Sequence, residues 1–146
     1  MDNRAVVQTI YSAADTADLA SVDMAAIESV LADDVVLYEP PNHPAVLTDD
    51  RATPGVWRGR DEVMNGIAKV FIAIRLTGAD LETLVVDGDR VVGLLNAKGT
   101  DLAGNPYAMP MAEVFRVKDG KVTEIRAFYF DVAQLGSLVL PDVATA

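Results

Sequence analysis

No cysteine occurs among the 146 residues, and histidine occurs once, as His43. Without thiols there is no disulfide, thiolate nucleophile, iron–sulfur cluster or cysteine zinc site. A single histidine excludes any two-histidine metal motif. A Ser-His-Asp triad would have to use His43, and no G-x-S-x-G elbow is present. Positive charge is also scarce: 12 basic against 22 acidic residues leave a net charge of −10, a field that repels a nucleic-acid backbone. No glycine-rich phosphate loop is found. No apolar run approaches the ~20 residues of a membrane-spanning helix, and the opening MDNRAVVQTIYSAAD carries early acids in place of a leader's apolar core. These absences predict a cytoplasmic protein without metal or cofactor, whose partners include neither nucleic acid nor membrane.

What is present is hydrophobic: 51% of the residues. A chain of this length forms one domain and buries a core without staples. We take 1–146 as that domain, with a core of about 4–135 and a tail at 136–146. Residues 4–19 carry Val7, Ile10, Tyr11 and Ala14 at helical spacing. A second helix, capped by Ser21 or Asp23, has the stripe Met24, Ile27, Val30 and Leu31. A short strand, Val35 to Glu39, stops at Pro40-Pro41. Residues 40–56 then read as a long loop with four prolines and an Asp49-Asp50-Arg51 cluster; such loops are often functional. Trp57-Arg58 reads as a brief strand. Gly59-Arg60-Asp61-Glu62 opens a third helix with acids in its first turn, where they suit the dipole. Four long strands follow, Asp80–Val86, Arg90–Lys98, Tyr107–Val117 and Lys121–Phe130, with hairpin turns at Asp87-Gly88-Asp89 and Lys118-Asp119-Gly120. The grouping predicts an α+β fold, helices packed on a mainly antiparallel sheet.

Side chains alternate along a strand, so one parity defines one face. In Tyr107–Val117 one parity reads Met109, Met111, Glu113, Phe115, Val117, which leaves Glu113 as the one charge on the bulky apolar face. An unpaired carboxylate there is expensive, or keeps its proton through a raised pKa. In the last strand Thr123, Ile125, Ala127, Tyr129 and Asp131 share a parity that points inward. This brings Tyr129 and Asp131 to the interior or its mouth; the alternative for Asp131 is a cap on the segment from Val132 to Leu138. Glu39 shares the parity of Val35 and Leu37. Tyr11 lies on the apolar side of the first helix. His43, within Pro-Asn-His-Pro, reads as a solvated loop residue, and a chemical role would need the loop to fold back over the pocket.

These pieces together resemble the SnoaL-like branch of the nuclear transport factor 2-like superfamily, which also holds ketosteroid isomerase and limonene epoxide hydrolase. The matching text is ADDVVLYEPP at 32–41, WRGRDEV at 57–63, VVDGDRVV at 85–92 and MPMAEVFRVKDGKVTEIRAFYFD at 109–131. The resemblance implies a cone: a strongly curved sheet around a pocket, closed by the three helices of the N-terminal half. It also implies homodimers through the convex sheet face, to which Phe128, Phe130 and the stretch from Leu138 to Leu140 would contribute. The isomerase places its general base before a proline at the end of the first strand, where this chain has Glu39-Pro40. Its protonated oxyanion-hole acid precedes a Phe-Arg pair by two residues, where this chain has Glu113. Its catalytic tyrosine lies on the first helix, which makes Tyr11 the counterpart. SnoaL-type cyclases carry an acid/base aspartate near the end of the last strand, which Asp131 approximates. Both isomerase positions are Glu here instead of Asp. The epoxide hydrolase's Arg-x-Asp pair becomes Met111-Ala112-Glu113, and its last-strand aspartate becomes Phe128, which disfavours that mechanism.

The reading that follows is a cofactor-independent acid/base enzyme on a hydrophobic polyketide-, terpenoid- or steroid-like molecule. Isomerisation, cyclisation, dehydration and epoxide opening are all within its reach. Glu39 or Asp131 would be the base, and a neutral Glu113 would donate to the developing enolate oxygen with Tyr11 or Tyr129 assisting. Trp57, Met64, Phe71, Met109, Met111, Phe115 and Tyr129 would wall the substrate. The alternative is a non-catalytic binding or association module on the same fold. An enclosed pocket with two or more inward carboxylates favours the enzyme.

Overall fold

The computed structural model describes residues 2–16 and 18–138. Helix α1 (Asn3–Ala14) starts at Asp2, whose carboxylate accepts the Ala5 N–H at 2.7 Å, and buries Val6, Val7, Ile10, Tyr11 and Ala14. It is shorter than the expected 4–19 because the chain turns back: the Asp23 N–H takes the Ala13 carbonyl at 3.1 Å. A single 3-10 turn covers Leu19–Ser21. Of the two candidate caps for α2 (Met24–Ser29), Asp23 is the one used, accepting from Ala26 N at 3.0 Å.

Strand β1 (Leu31–Tyr38) begins four residues earlier than expected. Leu31 pairs with Val122, and an irregularity then carries the exposed Asp33 and Asp34 outward before pairing resumes at Val36. The loop after it is less open than its prolines suggest. It holds helix α3 (Pro44–Leu47), with proline at the first position, where a missing N–H costs nothing. Strand β2 (Val56–Arg58) leads into α4 (Arg60–Ala73). Gly66 of α4 lies so close to Trp57 that a Cβ there would stand 2.7 Å from the indole ring.

The meander matches its expected elements to within a few residues: β3 (Leu76–Asp87), β4 (Arg90–Thr100), β5 (Pro106–Lys118) and β6 (Lys121–Tyr129), followed by a short α5 (Val132–Gly136). The six strands of the described residues form one curved open sheet in the order β2-β1-β6-β5-β4-β3. Every neighbouring pair is antiparallel except β1 and β6, which run parallel. The main core lies between the sheet and helices α1, α2 and α4. A smaller cluster gathers Ile74, Leu76, Ala97, Met109, Leu135 and Leu138. Leu138 is therefore buried, not on the convex face, and the residues after it lie outside the described chain. No described helix is long and apolar enough to cross a membrane.

Candidate active site

Between the sheet and helices α1 and α4 lies an apolar cavity of about 70 Å³, room for a few water molecules. Its walls include Ile10, Leu37, Ile67, Phe71, Met111 and Phe115. Two carboxylic acids, Glu39 and Glu113, and two phenols, Tyr11 and Tyr129, enter this cavity.

Strand parity delivers both acids. Val35 and Leu37 of β1 point into the core, so Glu39, next on that parity, points the same way before Pro40 ends the strand. Its backbone N–H donates to Gly55 O at 2.9 Å, which fixes the strand end. Gly55 has φ +82, and a Cβ on it would lie 2.8 Å from the Glu39 carbonyl oxygen, so both conformation and closeness require glycine. On β5 the inward row is the expected one, with Met109, Phe115 and Val117 buried and Glu113 among them. Glu113 stands opposite Ala127 of β6 and Gly93 of β4.

Each acid is bound to one phenol. Tyr11 Oη donates to Glu113 Oε1 at 2.9 Å, and Tyr129 Oη donates to Glu39 Oε1 at 2.7 Å. The Tyr11 ring packs edge-on against Phe115, with centroids 5.9 Å apart. Burial raises the pKa of Glu39 to about 8; the Tyr129 hydrogen bond pulls it back and the nearby Glu113 charge adds to the rise. Glu113 is raised as well, by burial first, with the Tyr11 hydrogen bond opposing. Both phenols are pushed well above their ordinary range by burial and by the carboxylates they face, so they remain donors. The result is a pair of acids that share one apolar space, both raised above the ordinary carboxylate range, and that resist ionising together.

The remaining expected residues divide. Phe71, Met111, Phe115 and Tyr129 line the cavity. Trp57 does not: it is buried under α4 beside Gly66, with the Arg51 guanidinium 4.8 Å from its ring centroid. Met64 packs at the edge of the main core, and Met109 belongs to the smaller cluster. Asp131 is exposed and caps α5, accepting from Gln134 N at 2.9 Å; the strand ends before its parity can carry it inward. His43 is not solvated. It is fully buried, because the loop folds back and places it 4.0 Å from Glu39. Ile10, Leu37, Ile67, Val70 and Ile125 are also in the wall, and their burial periodicity in α1, β1, α4 and β6 is the signal that could have found them. Among the described residues no cluster of three or more His, Asp or Glu side chains could hold a metal ion.

The SnoaL-like domain signature matches residues 7–125, most of the chain, and the protein belongs to the SnoaL-like family. Its fold is the nuclear transport factor 2-like fold. An NTF2-like protein of unknown function from Burkholderia pseudomallei aligns with a TM-score of 0.74 at 21% identity, over 95% of this chain and 98% of that one. A protein from Jannaschia sp. assigned to the SnoaL-like polyketide cyclases aligns with a TM-score of 0.70 at 20% identity, over 95% of this chain and 92% of that one. TerC, crystallised with polyporic acid, aligns with a TM-score of 0.71 at 21% identity, over 93% and 96% of the two chains. Among curated proteins no sequence matches.

Proposed function

We propose that the protein is a cofactor-independent acid/base enzyme that acts on a small hydrophobic carbonyl compound by isomerisation or cyclisation. Dehydration and epoxide opening draw on the same groups. The observation that carries this reading is the pair of Glu–Tyr couples inside one apolar cavity. A binding module has no need for two buried acids, each of which costs stability to keep. The likeness to a protein assigned to the polyketide cyclases, and to one crystallised with polyporic acid, supports the substrate class.

In this reading Glu39 is the base. A carboxylate with a pKa of about 8 can take a proton alpha to a carbonyl near neutral pH and return it elsewhere on the same molecule. Glu113, kept neutral by burial, donates to the oxygen on which charge develops, and Tyr11 orients it. The substrate enters by displacing the apolar wall near Phe71, Ala79 and Met111, which are only partly buried. A second copy of the chain is the proposed partner. Leu94, Ala112 and Phe128 line up across β4, β5 and β6 on the face away from the cavity, and Phe130 beside them is 84% exposed.

The test is a panel of carbonyl and epoxide compounds with the native protein, Glu39→Gln and Glu113→Gln. Each variant is expected to lose about 10²–10⁴-fold in turnover. Native activity that both variants retain overturns the assignment.

A further inference from the structure

The single histidine of the chain is fully buried, and one of its ring nitrogens has no hydrogen-bond partner among the described residues. The loop holds it from several directions. Its backbone N–H donates to Pro40 O at 3.0 Å, and its carbonyl accepts from Val46 and Leu47 at 2.8 and 2.9 Å. The neighbouring Asn42 Nδ2 donates to Val132 O at 2.6 Å, tying the loop to the start of α5. On the ring, Nδ1 accepts the Ala45 N–H at 3.0 Å. An imidazole that accepts at Nδ1 carries its proton on Nε2. That Nε2–H stands 4.0 Å from Glu39 Oε1, while the ring lies edge-on to Tyr129 with centroids 5.6 Å apart. Burial lowers the His43 pKa to about 4, so the ring is neutral near pH 7.

At 4.0 Å the contact is too long for a hydrogen bond. Buried donors without partners are rare in folded proteins and call for an explanation. This one faces a carboxyl group whose Oε1 already accepts from Tyr129. While Glu39 is protonated it is uncharged, and its need for donors is smaller. Once it ionises, a buried carboxylate needs further donors.

We propose that His43 is a positioning residue for Glu39: when Glu39 loses its proton, the Nε2–H closes onto the new carboxylate and holds the ionised base beside Tyr129. This rests on reading Glu39 as the base. The other titratable groups that bear on Glu39 are Tyr129 of β6 and Glu113 of β5; Tyr107 bears on Tyr129, and Tyr11 bears on Glu113. None of these is a cation. Helix α4 offers the apolar Ile67 and Val70 to the same cavity. Among the described residues Tyr129 and His43 are the side-chain donors set beside Glu39, and of these two His43 is the one not already bonded.

One histidine gives one unambiguous imidazole signal. Nitrogen-15 spectra of the full chain between pH 4 and 10 are expected to show the Nε2–H tautomer across the neutral and alkaline range. Its Hε2 resonance should move downfield in one step as Glu39 ionises, and the step should vanish in Glu39→Gln. In carbon-13 carboxyl spectra, His43→Phe should raise the Glu39 midpoint by about one pH unit, the loss of one hydrogen bond to a charged group. His43→Gln should restore part of the difference. A flat Hε2 resonance, an unchanged step in Glu39→Gln, or an unmoved Glu39 midpoint in folded His43→Phe overturns the proposal. If His43→Phe does not fold, the comparison of native protein with Glu39→Gln decides alone. Neither spectrum needs a substrate, so failure here is distinct from an active Glu39→Gln variant in the turnover assay.

Discussion

Tyr11 occupies the space that a side chain on Gly93 would fill: a Cβ built there lies 2.2 Å from Tyr11 Oη. Gly93 is the β4 residue opposite Glu113, so the missing side chain opens the path by which the α1 phenol reaches the β5 acid. Gly93→Ala is therefore expected to push Tyr11 off Glu113. Overpacking of this kind costs about 1–3 kcal/mol, readable by denaturant unfolding. Turnover should fall at least tenfold. Adding Tyr11→Phe should recover part of the stability, by removing the atom in closest conflict, but none of the activity.

The two acids make a specific demand on pH. Glu39 is raised from 4.5 to about 8 in the folded protein. Between those values the native state holds a proton that the unfolded chain has released, so stability is greatest below the window and declines as pH rises through it. The slope is at most ~1.4 kcal/mol per pH unit for one group, and Glu113 acts in the same direction. Thermal melts from pH 5 to 8 should show the native midpoint falling more steeply than that of Glu39→Gln, with the variant the more stable of the two at pH 8.

Turnover should run the opposite way. If Glu39 is the base, kcat/KM rises with pH through a midpoint near pH 8, where the free protein's carboxyl ionises, and levels off about one unit above it. A profile flat from pH 6 to 9 would exclude Glu39 from that role.

The Asp49–Arg51 pair provides a contrast with a different sign. Arg51 grips Asp49 with Nε and Nη2 at 2.9 and 2.8 Å, reaches Glu62 at 3.0 Å and covers Trp57. The guanidinium holds the Asp49 carboxyl well below the ordinary carboxylate range. Its stabilisation is present above that range and is lost as pH falls through it. Arg51 is itself partly exposed, so solvent screens the pair. Arg51→Ala should lower the melting midpoint at pH 7 by about 2–4 °C, and the gap should close in acid.

A second copy of the chain should be detectable by sedimentation. The apolar row Leu94, Ala112 and Phe128 with the exposed Phe130 predicts a dimer at micromolar concentration. Phe128→Glu with Phe130→Glu should give a monomer that keeps its fold by circular dichroism.

Much of this could be seen in the sequence because it is local. The turn residues at Asp87-Gly88-Asp89 and Lys118-Asp119-Gly120 set the hairpins, and the apolar parity of Met109, Met111, Phe115 and Val117 set the face on which Glu113 lies. What escaped was non-local. His43 sits in a proline-rich loop with no periodicity, and its burial follows from how the loop closes over the end of β1. Which phenol meets which acid depends on the β1–β6 and β4–β5 registers, pairings that no short window contains. Asp131 fits either an inward strand position or a helix cap, and only the end of β6 at Tyr129 separates the two.

The parallel pairing of β1 with β6 also sets the order in which the site comes into being. Glu39 and Tyr129, bonded in the finished protein, are 90 residues apart. Contacts of such long range close slowly, because the intervening chain must be ordered first. On a growing chain β1 is made early and waits, with one edge bare, until the last strand arrives to cover it. The acid is thus made long before its phenol, and until β6 docks Glu39 lacks that partner. The Glu39–Tyr129 couple therefore exists only after β6 has docked against β1.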